Sequence, residues 1–147
     1  MTLDGLENWI GRIEVRQDTV APAPFARLAA TLDHAEPPWR DGEMPPLGHW
    51  LCFLPTAPQS EIGPDGQPSK RGFLPPIELP RREWARSRLA FYAPVAIGDR
   101  LQRQSTIVDV RRQHGQSGAF VSVMLRHELA NDIGPETAKH RPQEISE

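Results

Sequence analysis

The chain has 147 residues, with 17 Lys and Arg against 19 Asp and Glu, and a formal net charge of −2. This length suits one domain with a hydrophobic core, and the balanced charge argues against nucleic acid as a partner. The apolar runs are too short to cross a bilayer, and the acidic first residues are unlike a signal peptide, so we expect a cytoplasmic protein with no membrane partner. The lone Cys52 excludes an internal disulfide and a cysteine-based zinc site.

The N-terminal part predicts a short opening segment, a strand and a helix. Residues 6–11 form a helical or turn-like start, and residues 12–20 alternate apolar and polar side chains as a strand does. Pro22 and Pro24 can occupy the first turn of a helix, where no N–H is lost. The apolar residues that follow have helical spacing: Phe25, Leu28, Ala29 and Leu32.

Proline is the compositional outlier, because 11 of the 16 prolines fall between Pro37 and Pro80. Aromatic residues are interleaved among them, which favours an ordered loop system over a disordered segment. Within this region, Pro46–Leu54 is apolar nearly all round and has helical spacing, so we expect it to be the central helix of the fold.

The C-terminal half predicts β structure. We expect a strand over Arg88–Ala93, a turn over residues 94–99, and a hairpin turn over residues 114–118 between two long strands. Each long strand has one apolar face: Thr106, Val108 and Val110 on the first, and Ala119, Val121, Val123, Leu125 and Leu129 on the second. Residues 1–130 would form the domain and residues 131–147 a polar, frayed tail.

Seven short motifs, in this order and spacing, carry a resemblance to a known family. They are WIGR (9–12), LAATLD (28–33), PPLGHW (45–50), GPDG (63–66), GFLPP (72–76), LPRR (79–82) and PVAIGD (94–99). Together they resemble the N-terminal hot-dog half of MaoC-like hydroxyacyl-thioester dehydratases, the group that includes mesaconyl- and itaconyl-CoA hydratases. The resemblance covers roughly residues 5–130 and implies an α+β hot-dog fold, an antiparallel sheet wrapped around a central helix.

The resemblance also implies a function. It points to a hydratase/dehydratase acting on acyl-CoA or acyl-carrier thioesters of the 3-hydroxyacyl, mesaconyl or itaconyl type, with CoA or phosphopantetheine entering only as part of the substrate. Relatives carry their catalytic Asp/Asn-Pro/His motif in a second hot-dog repeat, which this chain does not contain. The chain would then be the substrate-binding half, paired as a homodimer or with a catalytic hot-dog chain. A non-catalytic acyl-thioester-binding or scaffold protein, or less favourably a thioesterase, is the alternative.

Two residues are weak candidates for catalysis. Asp33 ends its helix where the family's catalytic Asp would lie, but Pro38 stands five positions later instead of a His. His49 lies on the predicted central helix, where a lone His is more often a core residue. Asp109 and His114 have the five-residue spacing without the Asn-Pro, which favours coincidence.

A basic and aromatic group around residues 70–88 is the candidate substrate-binding site, because guanidinium groups bind the phosphates of CoA and phosphopantetheine bidentately. The residues chosen are Arg71, Phe73, Arg81, Arg82 and Trp84. The alternative is a solvated strand edge with salt bridges. The five histidines show no metal-ligand spacing, so no metal is predicted.

Overall fold

The computed structural model describes residues 5–63, 66, 68, 72–77, 83–115, 118–131 and 145–146. Over these ranges the chain forms one antiparallel sheet in the order β1-β2-β3-β4, one α-helix and three single-turn 3-10 helices. The strands are β1 Ile13–Thr19, β2 Arg100–Gly115, β3 Gly118–Asn131 and β4 Ile145–Ser146. The α-helix is α1 Pro22–Thr31, and the 3-10 turns are Leu6–Trp9, Gly48–Leu51 and Gln59–Glu61. The predicted α+β class is confirmed, and the sheet with its single helix is compatible with a hot-dog fold.

Strand pairing follows the chain order. β1 runs antiparallel to β2 from Ile13 opposite Thr106 to Thr19 opposite Arg100. β2 and β3 form the predicted hairpin, which closes at Gly115 opposite Gly118. β4 lies within the polar tail and pairs with β3 at Arg126 and His127. Two residues of that tail therefore belong to the sheet.

Helix α1 confirms the helical spacing around Phe25. Pro22 stands at its first position, where the missing N–H costs no hydrogen bond, and Phe25 and Ala29 are buried. The helix ends at Thr31, and Asp33, two residues later, adopts a left-handed φ of 62°. The amide of His34 then donates to the carbonyl of Ala29 at 2.9 Å, so a helix-end carbonyl keeps a partner.

The main core lies between α1 and one face of the sheet. It consists of Val20, Phe25, Cys52, Phe53, Leu101 and Leu129. Leu101 is only 1% exposed, and burying a leucine side chain contributes about 1.5–3 kcal/mol to folding. No helix in the described ranges combines the length and the hydropathy that a membrane crossing would need.

The prediction of a central helix over Pro46–Leu54 is wrong. Only the four residues Gly48–Leu51 are helical, as a 3-10 turn, and Trp50 and Leu54 are 51% and 63% exposed. Leu47 and Phe53 have positive φ values of 67° and 56°, which end the helix on both sides. The apolar spacing suggested a buried helix, but the apolar residues of this segment face different directions. Some pack in the core, and others are exposed to solvent.

Gly48 explains how this turn approaches the rest of the protein so closely. A Cβ at this position would lie 2.5 Å from the Met44 Cγ and 2.9 Å from the Phe25 Cε1. A side chain would therefore push the turn away from α1 and loosen the core. Position 48 requires a glycine because there is no room for a Cβ, and not because of its backbone φ.

Two strand predictions also need correction. Arg88–Ala93 contains no strand, whereas the turn over residues 94–99 is confirmed, with Ala96 bridged to Glu43 and Gly98 at a φ of 98°. On β2 the buried positions are Leu101, Ser105 and Ile107, not the face of Thr106, Val108 and Val110. A register shift between Ile107 and Asp109 interrupts the alternation, so Thr106 and Val110 lie on opposite faces of the sheet, and a period-two pattern cannot show such a bulge.

Candidate functional site

Three aromatic rings form a continuous row that we call the aromatic row: His49, Trp50 and Trp84. The centroids of His49 and Trp50 are 5.9 Å apart, and those of Trp50 and Trp84 are 6.0 Å apart, both in edge-to-face geometry. His49 is 5% exposed, whereas Trp50 and Trp84 are about half exposed. The row thus runs from a buried imidazole to an indole surface in contact with solvent.

The aromatic row joins two distant parts of the chain. The Gly48–Leu51 turn supplies His49 and Trp50, and the irregular segment 83–90 supplies Trp84. It therefore brings together one residue predicted for catalysis, His49, and one predicted for substrate binding, Trp84. Among the three, His49 carries an imidazole with two ring nitrogens, and the indoles offer apolar surface.

The remaining predicted site residues have different positions. Asp33 is exposed at the end of α1, and Phe73 is half-buried. Asp109 pairs with Arg111, and His114 is exposed near the hairpin end of β2. Three predicted substrate-binding residues lie outside the described residues: Arg71, Arg81 and Arg82.

The segment from Leu47 to Leu54, which carries His49 and Trp50, is tied to β1 by the Asp18 carboxylate. One oxygen accepts the amide of Phe53 at 2.6 Å, and the other accepts the amide of Thr19 at 2.7 Å. Hydrogen bonds to an ionised carboxylate are stronger than neutral ones. This contact holds Phe53 in its left-handed conformation, which costs a non-glycine residue about 1–2 kcal/mol.

Cys52 lies beside this anchor and is buried. Burial raises the pKa of its thiol from 9.0 to about 11, and the negative charge of Asp18 shifts it in the same direction. The thiol is therefore neutral at physiological pH. Because nucleophilic attack needs the thiolate, Cys52 acts here as a small core residue.

A buried serine and histidine face each other on the core side of the sheet. Ser105 on β2 lies directly opposite His127 on β3, and a hydrogen bond of 2.7 Å joins the Ser105 Oγ and the His127 Nδ1. Both residues are buried. Sequence reasoning missed this pair, although the signal was present: His127 falls between Leu125 and Leu129 on the apolar face of β3.

Arg103 lies on the same face, two residues before Ser105. Its guanidinium carbon stands 4.8 Å from the centroid of the Phe53 ring, and the side chain is half-buried. Across the strand pair, Arg103 lies opposite Arg16, and Ser105 lies opposite Glu14. We call this set the polar band; its members are Glu14, Arg16, Arg103, Ser105 and His127.

Comparison with known proteins places this chain in a family. A family model described as hydroxyacyl-thioester dehydratase type 2 matches residues 46–143, more than half of the chain. The chain belongs to this family. A mesaconyl-C(4)-CoA hydratase from Chloroflexus aurantiacus is 42% identical over 127 residues, which make up 82% of this chain and 45% of that relative. The chain thus spans less than half the length of this relative.

The range matched by the hydroxyacyl-thioester dehydratase family begins after β1 and α1. It contains the whole aromatic row and the three members of the polar band on β2 and β3. Glu14 and Arg16, on β1, precede it. The family model therefore covers the aromatic row and most of the polar band, and the family assignment confirms the resemblance stated from the sequence motifs.

Proposed function

We propose that this chain is the substrate-binding half of a cytoplasmic hydratase/dehydratase that acts on acyl-CoA or acyl-carrier thioesters of the 3-hydroxyacyl, mesaconyl or itaconyl type. Membership of the dehydratase family and the name of the similar hydratase support this proposal. The observation that carries it is the aromatic row, in which a buried imidazole leads to half-exposed indoles. No cofactor or metal is invoked beyond the CoA or phosphopantetheine of the substrate.

Within this proposal, the residues divide between the two ends of the thioester. Trp50 and Trp84 would pack against the acyl or pantetheine chain, because their indoles present apolar surface to solvent. Arg71, Arg81 and Arg82, predicted from the sequence, would bind the phosphates, and Phe73 would line the same region. Guanidinium groups suit this role because their N–H donors match phosphate geometry.

Catalysis would require a second hot-dog unit. Hydration of an enoyl thioester needs a base to activate water and an acid to protonate the α-carbon. The partner would be a second copy or a separate chain that carries the Asp/Asn-Pro/His motif. β1 is an edge strand of this sheet, and pairing with another hot-dog would cover a free strand edge. His49 and Asp33 remain the candidates within this chain.

Calorimetric titration with crotonyl-CoA tests the binding role. Trp84→Ala should weaken binding about tenfold or more, since an aromatic contact of this kind typically contributes about 1–2 kcal/mol. Trp9→Ala is the matched control, because Trp9 lies in another 3-10 turn with Arg12 over its ring at 4.4 Å. Equal effects of the two substitutions, or no binding by the unaltered chain, would contradict the proposal.

An absorbance assay on the same thioester tests the catalytic part. The pure chain should hydrate crotonyl-CoA at least about 10²-fold more slowly than the chain supplemented with a catalytic hot-dog partner, given the usual contribution of general acid–base groups. The half-module would be refuted if the chain alone hydrated crotonyl-CoA quickly and if His49→Gln or Asp33→Asn slowed this reaction. Binding without turnover in either sample would favour a binding or scaffold protein, and release of free CoA thiol would favour a thioesterase.

A further inference from the structure

We infer that β1 is the surface through which two copies of this chain pair, strand against strand and antiparallel, with Val15 on the two-fold axis. The inference goes beyond the proposed function, because it rests on strand geometry and charge and does not involve a thioester. It names a second copy of this chain as the partner at β1. In the described part of the chain, β1 has one strand neighbour, β2, and its other edge faces no strand.

The first argument is the direction of the backbone groups of β1. At one end, the Val20 amide donates to the Asp99 carbonyl at 2.9 Å. At the other end, the Ile107 amide donates to the Arg12 carbonyl at 3.0 Å. Residues of even number therefore turn their amides and carbonyls toward β2. Because this direction alternates along an antiparallel strand, residues of odd number turn theirs toward the open edge.

The contact of the Thr19 amide agrees with this alternation. This amide points away from β2 and donates to the Asp18 carboxylate at 2.7 Å, which closes that end of the edge. Three residues of odd number precede it in β1: Ile13, Val15 and Gln17. Exposed edge groups of this kind are a template for pairing with another chain.

The second argument is the order of charge along one face of β1. Every second residue carries a charge of alternating sign: Arg12, Glu14, Arg16 and Asp18. When two such strands run antiparallel about Val15, Glu14 lies opposite Arg16 of the second copy. Arg12 likewise lies opposite Asp18 of the second copy. Opposite charges at facing positions stabilise a strand pair, and the two-fold axis repeats each contact.

The neighbouring registers are less favourable. A shift by one residue would bring the outward backbone groups opposite groups that are already bonded to β2. A shift by two residues in one direction would place Arg16 opposite its own copy, and in the other direction it would place Glu14 opposite its own copy. Like charges at such positions destabilise the pair. Larger shifts shorten the paired segment, so the pairing about Val15 matches the most charges.

The third argument is the apolar surface on the other face of β1. Ile13 and Val15 are about half exposed, although β-branched side chains on a strand are stabilised by packing against neighbours. In the pair, Val15 would meet its own copy at the axis, and Ile13 would meet Gln17. On the charged face, the Glu14–Arg16 contacts of 2.8 and 3.1 Å within one copy would join those of the other. Both faces of β1 thus favour a second β1.

The test is sedimentation velocity of the full chain from about 5 to 500 µM, because a contact of one strand pair is small and a micromolar dissociation constant is expected. The unaltered chain should form a reversible dimer. Glu14→Lys and Arg16→Glu should each raise the dissociation constant at least about tenfold, because each reversal opposes like charges twice across the axis. Arg40→Glu is the matched control, since Arg40 forms an exposed ion pair with Glu43 at 3.1 Å away from β1. It should dimerise as the unaltered chain does.

Mixing the two single variants separates pairing at β1 from a loss of folding. In a mixed dimer, the Glu14→Lys copy and the Arg16→Glu copy again place opposite charges at both facing positions. An equimolar mixture should therefore dimerise about as tightly as the unaltered chain, although neither variant does so alone. The double variant Glu14→Lys/Arg16→Glu should also recover self-association, because it exchanges the two charges and keeps the register.

Three outcomes would overturn the inference. The first is an unaltered chain that stays monomeric over the whole range of concentration. The second is a dimer whose dissociation constant the single reversals leave unchanged, since its contact would lie on another surface. The third is a mixture of the single variants that remains monomeric while each variant gives a normal thermal melt. None of these outcomes depends on whether the chain binds crotonyl-CoA.

Discussion

The sheet and the segment from Leu47 to Leu54 are stabilised in different ways. In β1, β2 and β3, backbone hydrogen bonds repeat along the strands, and the core positions of β2 and β3 are covered by apolar contacts. The segment has one 3-10 turn, two left-handed residues and a carboxylate anchor from β1. Its local geometry therefore depends on a few specific contacts, whereas that of the sheet is supported by many equivalent ones.

This difference shows how the protein separates stability from recognition. The segment presents two members of the aromatic row and also places Phe53 under Arg103. Left-handed φ values at Leu47 and Phe53 are the kind of backbone strain that persists only where surrounding contacts outweigh it. We therefore expect substitutions in the sheet to change global unfolding, and substitutions around the segment to change the site as well.

The largest effect is expected in the sheet core. Leu101→Ala should lower the free energy of unfolding by about 2–5 kcal/mol, because it removes a side chain that is 1% exposed and leaves a cavity. Leu54→Ala is the same substitution in the segment, at a residue that is 63% exposed, and should cost no more than about 0.5 kcal/mol. Denaturant unfolding measures both. Similar losses for the two variants would remove the distinction between the regions.

Alkaline pH should weaken the protein through Cys52. Its folded-state pKa of about 11 lies above the unfolded value of 9.0, so its contribution is complete below pH 9 and is lost as the pH rises through 11. A shift of this size corresponds to about 2–3 kcal/mol. Unfolding curves from pH 7 to 11 should fall less steeply in Cys52→Ala than in the unaltered chain. Parallel pH profiles would mean that the thiol makes no such contribution.

Removing the Asp18 anchor between the sheet and the segment should lower the free energy of unfolding by a smaller amount. Asp18→Ala removes the acceptor of the Phe53 and Thr19 amides and should cost about 1–3 kcal/mol in unfolding free energy. It should also lower the pKa of Cys52, because the negative charge is gone, and ultraviolet titration of the thiolate measures this. Asp41→Ala, at an exposed aspartate, is the control. An unchanged thiol titration in Asp18→Ala would show that the carboxylate does not act on the segment.

Local sequence determined much of the framework. The proline pair and the spacing around Phe25 were sufficient to place α1, and the glycines at 115 and 118 were sufficient to place the β2–β3 hairpin. Helix starts and tight turns depend on the conformational limits of a few adjacent residues, so they can be predicted without knowledge of the fold. The family motifs also identified the dehydratase family before any contact was known.

Tertiary structure decided the site. Pro46–Leu54 has the apolar spacing of a helix, but its packing against α1 and the Asp18 anchor make it a single turn with two left-handed residues. The register shift after Ile107 put Thr106 and Val110 on opposite faces of the sheet, and strand pairing brought Ser105 to His127. These outcomes depend on which distant segments meet. A periodic pattern records how apolar residues are spaced along the chain, whereas the contacts that bury them are set by the whole fold.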